Sequence, residues 1–178
     1  YLFAAIIYLP MIWISQQIMK NRQPFSLKKP LFIWNLLLSI LSGIGSYYVL
    51  TWIYKDLENN SLQENVCDYQ KAYANEISWY VGIFNITKIL EWIDTIFLVL
   101  RKKKIIFLHW FHHLITFLYC WHSSYYSPIS DVSGYWFAGI NMFVHAVMYM
   151  YYGLSTIGIK IPGSILITII QTLQMGIG

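Results

Sequence analysis

Charged residues are scarce in this sequence. Only 11% of its 178 residues are Asp, Glu, Lys or Arg, whereas an average soluble protein has about 25%. Apolar residues make up 57% and aromatic residues 19%, including 15 tyrosines and 8 tryptophans, whose rings favour the depth of lipid headgroups. The composition predicts an integral membrane protein and leaves no soluble domain that would present a basic face to nucleic acid.

Cysteine is also rare, with two residues, Cys67 and Cys120. They form no CxxC pair and no zinc-type spacing, so the sequence predicts no structural zinc site. We expect Cys120 to be a small buried apolar residue. Cys67 lies in an acidic loop, where an oxidising lumen would allow a disulfide with a cysteine outside this sequence.

Six hydrophobic runs are each close to the length of about 20 residues that a transmembrane helix needs. They cover residues 1–19, 31–54, 78–100, 105–122, 135–156 and 163–178. The sequence begins and ends inside two of these runs, so we expect a fragment of a longer membrane protein. The pattern predicts an all-α fold with six membrane-spanning helices.

The charges between the runs predict the orientation of these helices. Residues 20–29, 101–104 and 157–162 carry only basic charges. Residues 55–76 are mostly acidic, and residues 123–133 carry one acid and no base. Because basic loops stay on the cytosolic side of a membrane, we assign the three basic loops to the cytosol. Their cations also suit a phosphorylated ligand that enters from the cytosol.

Four consecutive runs each carry one stripe of polar side chains at helical spacing. The stripes consist of Lys88, Glu91, Asp94 and Thr95; of His109, His112 and His113; of Asn141, His145, Met148, Tyr149 and Tyr152; and of Thr168, Gln171 and Gln174. With a rise of about 1.5 Å per residue, the stripes converge on one layer at or slightly cytosolic of the membrane midplane.

Ionisable groups at membrane depth are costly unless they are paired or line a wet cavity. Their alignment at one depth therefore predicts an active site. Structural alternatives stay open for each group. In a purely structural role, the three charges of the first stripe would form an ion-pair network that fixes helix packing. His145 would then form an interhelical hydrogen bond. The tyrosines and glutamines would equally be packing or interhelical contacts.

The stripes match four ordered motifs of one membrane-enzyme family. The third run has K-x-x-E-x-x-D-T from Lys88, and the fourth has H-x-x-H-H from His109. The fifth has H-x-x-M-Y-x-Y-Y from His145, and the sixth has T-x-x-Q-x-x-Q from Thr168. With these motifs the chain resembles the ELO family of very-long-chain fatty acid elongases over nearly its whole length.

The resemblance implies a polytopic seven-span helical bundle around an acyl-chain tunnel. Residues 1–178 would form one membrane domain, with the N-terminus, the seventh helix and the C-terminal tail outside this sequence. The implied location is the endoplasmic reticulum membrane, with the active-site mouth facing the cytosol. The implied reaction joins malonyl-CoA to a long-chain acyl-CoA, giving a 3-ketoacyl-CoA, CO2 and CoA, with no metal or redox cofactor. Expected partners are both CoA esters, the bilayer, and either other elongation enzymes or a second copy of the chain.

Within this family framework, we expect His112 to accept the acyl group. No cysteine lies at the reaction depth, and imidazole is the remaining good nucleophile. His145 is expected to face His112 across the tunnel. His109 and His113 are expected to transfer protons or to hydrogen-bond a thioester oxygen.

The remaining stripe residues are expected to support these histidines. Asp94 and Glu91 would orient the rings as a carboxylate does in a catalytic triad, and Lys88 would neutralise the carboxylates. The expected contacts to the CoA phosphates are Lys20, Arg22, Arg101, Lys102, Lys103 and Lys104. Further expected substrate-binding residues are Asn141, Tyr149, Tyr152, Gln171 and Gln174.

Two other classes of protein stay open. A di-iron lipid desaturase or hydroxylase also uses histidine clusters in membranes, with carboxylates as additional ligands. Such sites usually gather more histidines than the five of this sequence. A non-enzymatic lipid transporter or channel would place polar stripes along a permeation path, although the sequence has no internal repeat. The spacing of the histidines fits the elongase motifs better than either alternative.

Overall fold

The computed structural model describes residues 2–67, 77–126, 133–159 and 161–177. Within these ranges the regular structure is helical and no strand occurs. The helices are α1 (Leu2–Met19), α2 (Lys28–Asn59), α3 (Leu62–Cys67), α4 (Ile77–Leu90), α5 (Trp92–Leu100), α6 (Phe107–Tyr126), α7 (Ser133–Thr156) and α8 (Ser164–Ile177). This confirms the predicted all-α class.

The predicted membrane runs coincide with these helices. Among the described residues, α1 and α2 are long and apolar enough to cross a membrane, each with a mean hydropathy of 1.6 over its best window. The third predicted run differs, because it is divided between α4 and α5 and is not one continuous helix. The side chain of Cys67 and the whole of Lys160 lie outside the described part, so the predictions on them stay predictions.

The chain divides into two compact units. The first unit comprises Tyr1–Leu27 and Asn85–Ser127, and the second comprises Lys28–Phe84 and Pro128–Gly178. The first unit therefore contains α1, the end of α4, α5 and α6. The second contains α2, α3, the start of α4, α7 and α8.

In the first unit, aromatic side chains form the core between α1, α5 and α6. Tyr8 and Phe117 are fully buried, and Trp92 lies between them. The ring centroid of Trp92 is 4.5 Å from that of Tyr8 and 4.7 Å from that of Phe117. This stack packs α1 against α5 and α6, which carry Thr95 of the first polar stripe and the histidines of the second.

In the second unit, α2 and α7 pack through small side chains. Ser39 donates a hydrogen bond from its hydroxyl to the carbonyl of Ala146 at 2.8 Å, and Ser46 donates to the carbonyl of Gly139 at 3.2 Å. Small residues at a membrane helix interface let the backbones approach closely, and hydroxyls then bond across the contact. The contact fixes the fifth predicted run, which carries His145, against the second.

Gly139→Ala is expected to destabilise this contact. A Cβ atom at Gly139 would lie 2.9 Å from Cδ2 of Leu50 and 3.0 Å from Cγ1 of Val49, and overpacking of this kind typically costs about 1–3 kcal/mol. Thermal unfolding of the full-length protein in detergent should show a lower midpoint. Gly134→Ala on the same helix is the matched control, because a Cβ there meets nothing within 4 Å. Equal midpoints for the two variants would contradict the close approach.

Candidate active site

The polar stripe of the third run sits where α4 passes into α5, at Glu91. Glu91 keeps helical backbone angles, and its N–H donates to the carbonyl of Thr87 at 2.8 Å. The N–H of Asp94 instead donates to the carbonyl of Glu91, three residues back, at 3.1 Å. Such a bond tightens the turn, and α4 ends and α5 begins on either side of Glu91. This interruption corrects the predicted continuous helix.

A buried ion pair lies at this interruption. The ammonium of Lys88 donates to Oε1 of Glu91 at 2.7 Å, and both side chains are 3% exposed. The other carboxylate oxygen, Oε2, is 3.9 Å from Nδ1 of His113. A buried carboxylate is tolerated when a cation compensates it. Glu91 is thus held by Lys88 on one oxygen and lies beside a histidine ring with the other.

The three histidines of α6 form one cluster. The ring centroid of His113 lies 4.5 Å from that of His109 and 5.8 Å from that of His112, with both pairs edge to face. His113 is buried, whereas His109 and His112 are half-buried. The backbone of this segment is fixed as well, because Nε1 of Trp92 donates to the carbonyl of His113 at 3.4 Å. The shared face predicted for the three histidines is therefore present.

The hydroxyl of Thr95 bonds His109. Oγ1 of Thr95 lies 3.0 Å from Nε2 of His109, and the hydroxyl of Tyr8 lies 2.9 Å from the same Oγ1. Asp94 is half-buried in the first turn of α5, and its predicted role in orienting a ring stays a prediction. Tyr8 was not singled out by its sequence, because nothing in the apolar run around it marks one tyrosine among 15.

The basic loop residues of the first unit follow the ends of α1 and α5, which lie side by side. The N–H of Phe25 donates to the carbonyl of Leu100 at 3.0 Å, which joins the segment after α1 to the end of α5. Lys102 has a positive φ of 50°, and its ammonium donates to the carbonyl of Lys20 at 3.1 Å.

Most of the predicted phosphate contacts at this end are exposed. Arg101 is half-buried, whereas the exposed cations are Lys20, Arg22, Lys102, Lys103 and Lys104.

In the second unit, the stripes of α7 and α8 meet. Nδ2 of Asn141 donates to Oε1 of Gln174 at 3.3 Å, and Nε2 of Gln171 donates to the sulfur of Met148 at 2.9 Å. Thr168, the third member of the α8 stripe, makes no such contact with α7 among the described residues. Its side chain is exposed, and its hydroxyl donates to the carbonyl of Ser164 in the same helix.

His145 lies on the same helix as Asn141. His145 is 5% exposed, and its ring centroid is 5.5 Å from that of Tyr149, which is also buried. Tyr152 is 45% exposed, which leaves its side chain accessible. His145 belongs to the second unit and His112 to the first, so their predicted approach across a tunnel stays a prediction.

Comparison with known proteins bears on this arrangement. The model of the family described as "ELO: GNS1/SUR4 family" matches residues 1–178. The chain belongs to the ELO family.

Curated relatives of this ELO-family chain include very long chain fatty acid elongase 4 of Trypanosoma cruzi. The two are 36% identical over 182 residues, which cover 99% of the chain and 62% of the relative. Putative fatty acid elongase 3 of Caenorhabditis elegans is 37% identical, with 98% and 55% covered. Very long chain fatty acid elongase 6 of Gallus gallus is 38% identical, with 100% and 66% covered. The chain thus spans between 55% and 66% of the length of these relatives.

The ELO motifs fall into two groups in the structure. K-x-x-E-x-x-D-T and H-x-x-H-H lie in the first unit and are joined by the contacts of Glu91 and Thr95. H-x-x-M-Y-x-Y-Y and T-x-x-Q-x-x-Q lie in the second unit and are joined by the contact of Gln171 with Met148. Each motif therefore has a direct partner motif within its own unit.

Across the described ranges, no three His, Cys, Asp or Glu side chains are placed to hold one metal ion. Cys120 is buried with its sulfur as a free thiol, as expected for a small apolar residue.

Proposed function

We propose that this chain carries the condensing step of fatty acid elongation. It would join malonyl-CoA to a long-chain acyl-CoA and give a 3-ketoacyl-CoA two carbons longer, CO2 and CoA. The observation that supports this most is the histidine cluster of α6, with a buried Lys88–Glu91 pair beside one ring and a threonine hydroxyl on another, in a chain of the ELO family. Three imidazoles with different partners offer a nucleophile, a hydrogen-bond donor and a proton acceptor in one place.

The first half-reaction transfers the acyl group to His112. A nitrogen of the imidazole attacks the thioester carbon, an N–C bond forms, and the C–S bond breaks. The CoA thiolate takes up a proton, and the imidazole loses its own to a neighbouring base. His112 suits this role because it is more accessible than His113 and because Nε2 of His109 is engaged by Thr95.

The second half-reaction uses malonyl-CoA. The bond from its α-carbon to the carboxylate breaks, CO2 leaves, and the electron pair stays as a thioester enolate. The enolate carbon attacks the acyl carbon, a C–C bond forms, and the N–C bond to His112 breaks. The imidazole nitrogen then regains a proton. The overall reaction consumes no oxidant, reductant or metal.

The neighbouring groups hold protons and charge during these steps. Glu91, at 3.9 Å from Nδ1 of His113, would orient that ring, as a carboxylate does in a triad. Lys88 would neutralise the charge of the buried carboxylate. His145, Asn141, Gln171, Gln174 and Tyr149 would contribute the substrate contacts of the second unit, and Tyr152 would add an accessible one.

The exposed cations of the first unit would bind the CoA phosphates at the cytosolic mouth of an endoplasmic reticulum protein. Replacing both Lys103 and Lys104 with Ala is expected to raise KM for acyl-CoA about 10-fold with kcat unchanged, since one or two charge-assisted hydrogen bonds to phosphate are lost.

Lys102→Ala is the matched comparison for that double variant. The Lys102 ammonium bonds the carbonyl of Lys20, so its loss should affect KM less and thermal stability more. Initial rates at varied acyl-CoA in low and high salt measure KM, and thermal unfolding in detergent measures stability. A larger KM effect from Lys102→Ala would contradict this division of roles.

A cell-free condensation assay tests the proposed function. Purified full-length protein with an acyl-CoA and labelled malonyl-CoA should release labelled product as 3-ketoacyl-CoA. An oxidised acyl product that forms only with added iron and O2 would instead support the desaturase class. Transport of lipid into vesicles without a chemical product would support the transporter class. Iron analysis of the same preparation directly distinguishes a desaturase from a condensing enzyme.

A further inference from the structure

Tyr8 is a buried tyrosine that the condensing mechanism does not use. Its hydroxyl lies 2.9 Å from Oγ1 of Thr95, a residue 87 positions later in the chain. The same Oγ1 lies 3.0 Å from Nε2 of His109. Tyr8 and Thr95 are both 0% exposed, so water does not replace either contact. The three side chains form a hydrogen-bonded row that ends on the histidine cluster.

One arrangement of hydrogens satisfies this row. Each hydroxyl has a single hydrogen to donate, and among the described residues these two contacts are the only hydrogen bonds of either hydroxyl. If Nε2 of His109 donated to Thr95, the hydrogen of either Thr95 or Tyr8 would be buried without an acceptor, which is unfavourable. If Tyr8 donates to Thr95 and Thr95 donates to Nε2, both hydrogens have acceptors. His109 then carries its own hydrogen on Nδ1.

We propose that Tyr8 is a positioning residue that acts through Thr95 to hold His109 as a neutral imidazole with its hydrogen on Nδ1. For its catalytic meaning, this inference rests on the proposed condensing function. A histidine held in this way donates a hydrogen bond from Nδ1 and does not accept a proton at Nε2. His109 therefore serves as a hydrogen-bond donor to a thioester or enolate oxygen, and the accepting of protons falls to the other rings of the cluster.

The packing of Tyr8 allows its hydroxyl to be removed without removing its ring. The ring lies 4.5 Å from the ring of Trp92, and Tyr8→Phe keeps that contact. Thr95→Val is a second variant of similar shape that removes the middle hydroxyl. The two variants interrupt the same row at different points and leave the aromatic core of the first unit in place.

Nitrogen NMR of histidine-labelled full-length protein tests the tautomer directly. In wild type, the resonances of His109, assigned by their loss in His109→Gln, should show a protonated Nδ1 and an unprotonated Nε2. Tyr8→Phe and Thr95→Val should each shift them toward a mixture of the two tautomers. This readout does not require condensing activity, so a failure of the proposed function would leave it intact.

Kinetics test the positioning role. Tyr8→Phe should lower kcat about 5- to 10-fold, the effect of one hydrogen bond on a transition state, with KM for acyl-CoA unchanged. In the Thr95→Val background, Tyr8→Phe should have no further effect, because the row is already broken. Tyr47→Phe, at an exposed tyrosine of the second unit, is the control and should match wild type in both measurements.

Two results would overturn the proposal. One is a wild-type His109 with its hydrogen on Nε2, or a tautomer that Tyr8→Phe leaves unchanged. The other is a Tyr8→Phe effect that persists at full size in the Thr95→Val background, since Tyr8 would then act by a route other than Thr95.

Discussion

His112→Ala is expected to lower the condensation rate of the purified protein by about 1,000-fold or more. Because the His112 ring is proposed to carry the acyl group, its removal deletes the covalent route and not merely a contact. His109 and His113 are poor replacements for His112 as the nucleophile. Thr95 hydrogen-bonds Nε2 of His109, and Glu91 lies beside Nδ1 of His113. The measurement is the initial rate of 3-ketoacyl-CoA formation at saturating acyl-CoA and malonyl-CoA.

His122→Ala is the matched control for that variant. His122 lies on the same helix, is exposed and lies outside the histidine cluster, so its loss should change the rate by less than a factor of about 2, as for most surface substitutions. A His112→Ala protein with a rate near wild type would refute the nucleophile assignment. Comparable losses in both variants would indicate a general effect on α6.

Lys88→Met is expected to have the largest effect on stability. It removes the ammonium 2.7 Å from Glu91 and leaves the carboxylate in a position where the side chain is 3% exposed. Breaking a buried ion pair by removing one partner typically costs about 3–5 kcal/mol. Thermal unfolding in detergent should show a large drop in midpoint, and condensation should be lost with it.

Combining Lys88→Met with Glu91→Leu distinguishes the effect of the ion pair on stability from its effect on the condensation rate. Replacing both charges of a buried pair with apolar groups is often neutral for stability, so the double variant should recover much of the midpoint. Condensation should remain low, because the carboxylate beside His113 is gone. A double variant that is as active as wild type would show that the pair only pins the helices.

Hydropathy and loop charge predict most of the helices of this chain, because a span needs only length and apolar content. They do not predict the interruption at Glu91. That feature depends on one hydrogen bond between neighbouring backbone groups, from Asp94 to Glu91, and the apolar run continues on both sides of it. The sequence therefore predicts one continuous helix where the structure has two, α4 and α5.

Periodicity predicts which side chains share a face but not what they touch. The spacing of His109, His112 and His113 predicts their cluster, which the structure contains. It carries no information on Tyr8, because that contact joins residues 87 positions apart through tertiary packing. Likewise, the basic loop gives no sign that the ammonium of Lys102 bonds the backbone carbonyl of Lys20.

The most direct test of the central claim is to look for the acyl-enzyme itself. The full-length protein is incubated with acyl-CoA alone, released CoA is counted, and peptides are examined by mass spectrometry. If His112 carries the acyl group, about one CoA per active site is released, the acyl group is found on His112, and it leaves as 3-ketoacyl-CoA when malonyl-CoA is added. No CoA release before malonyl-CoA is added, or an acyl group on another residue, would contradict the claim.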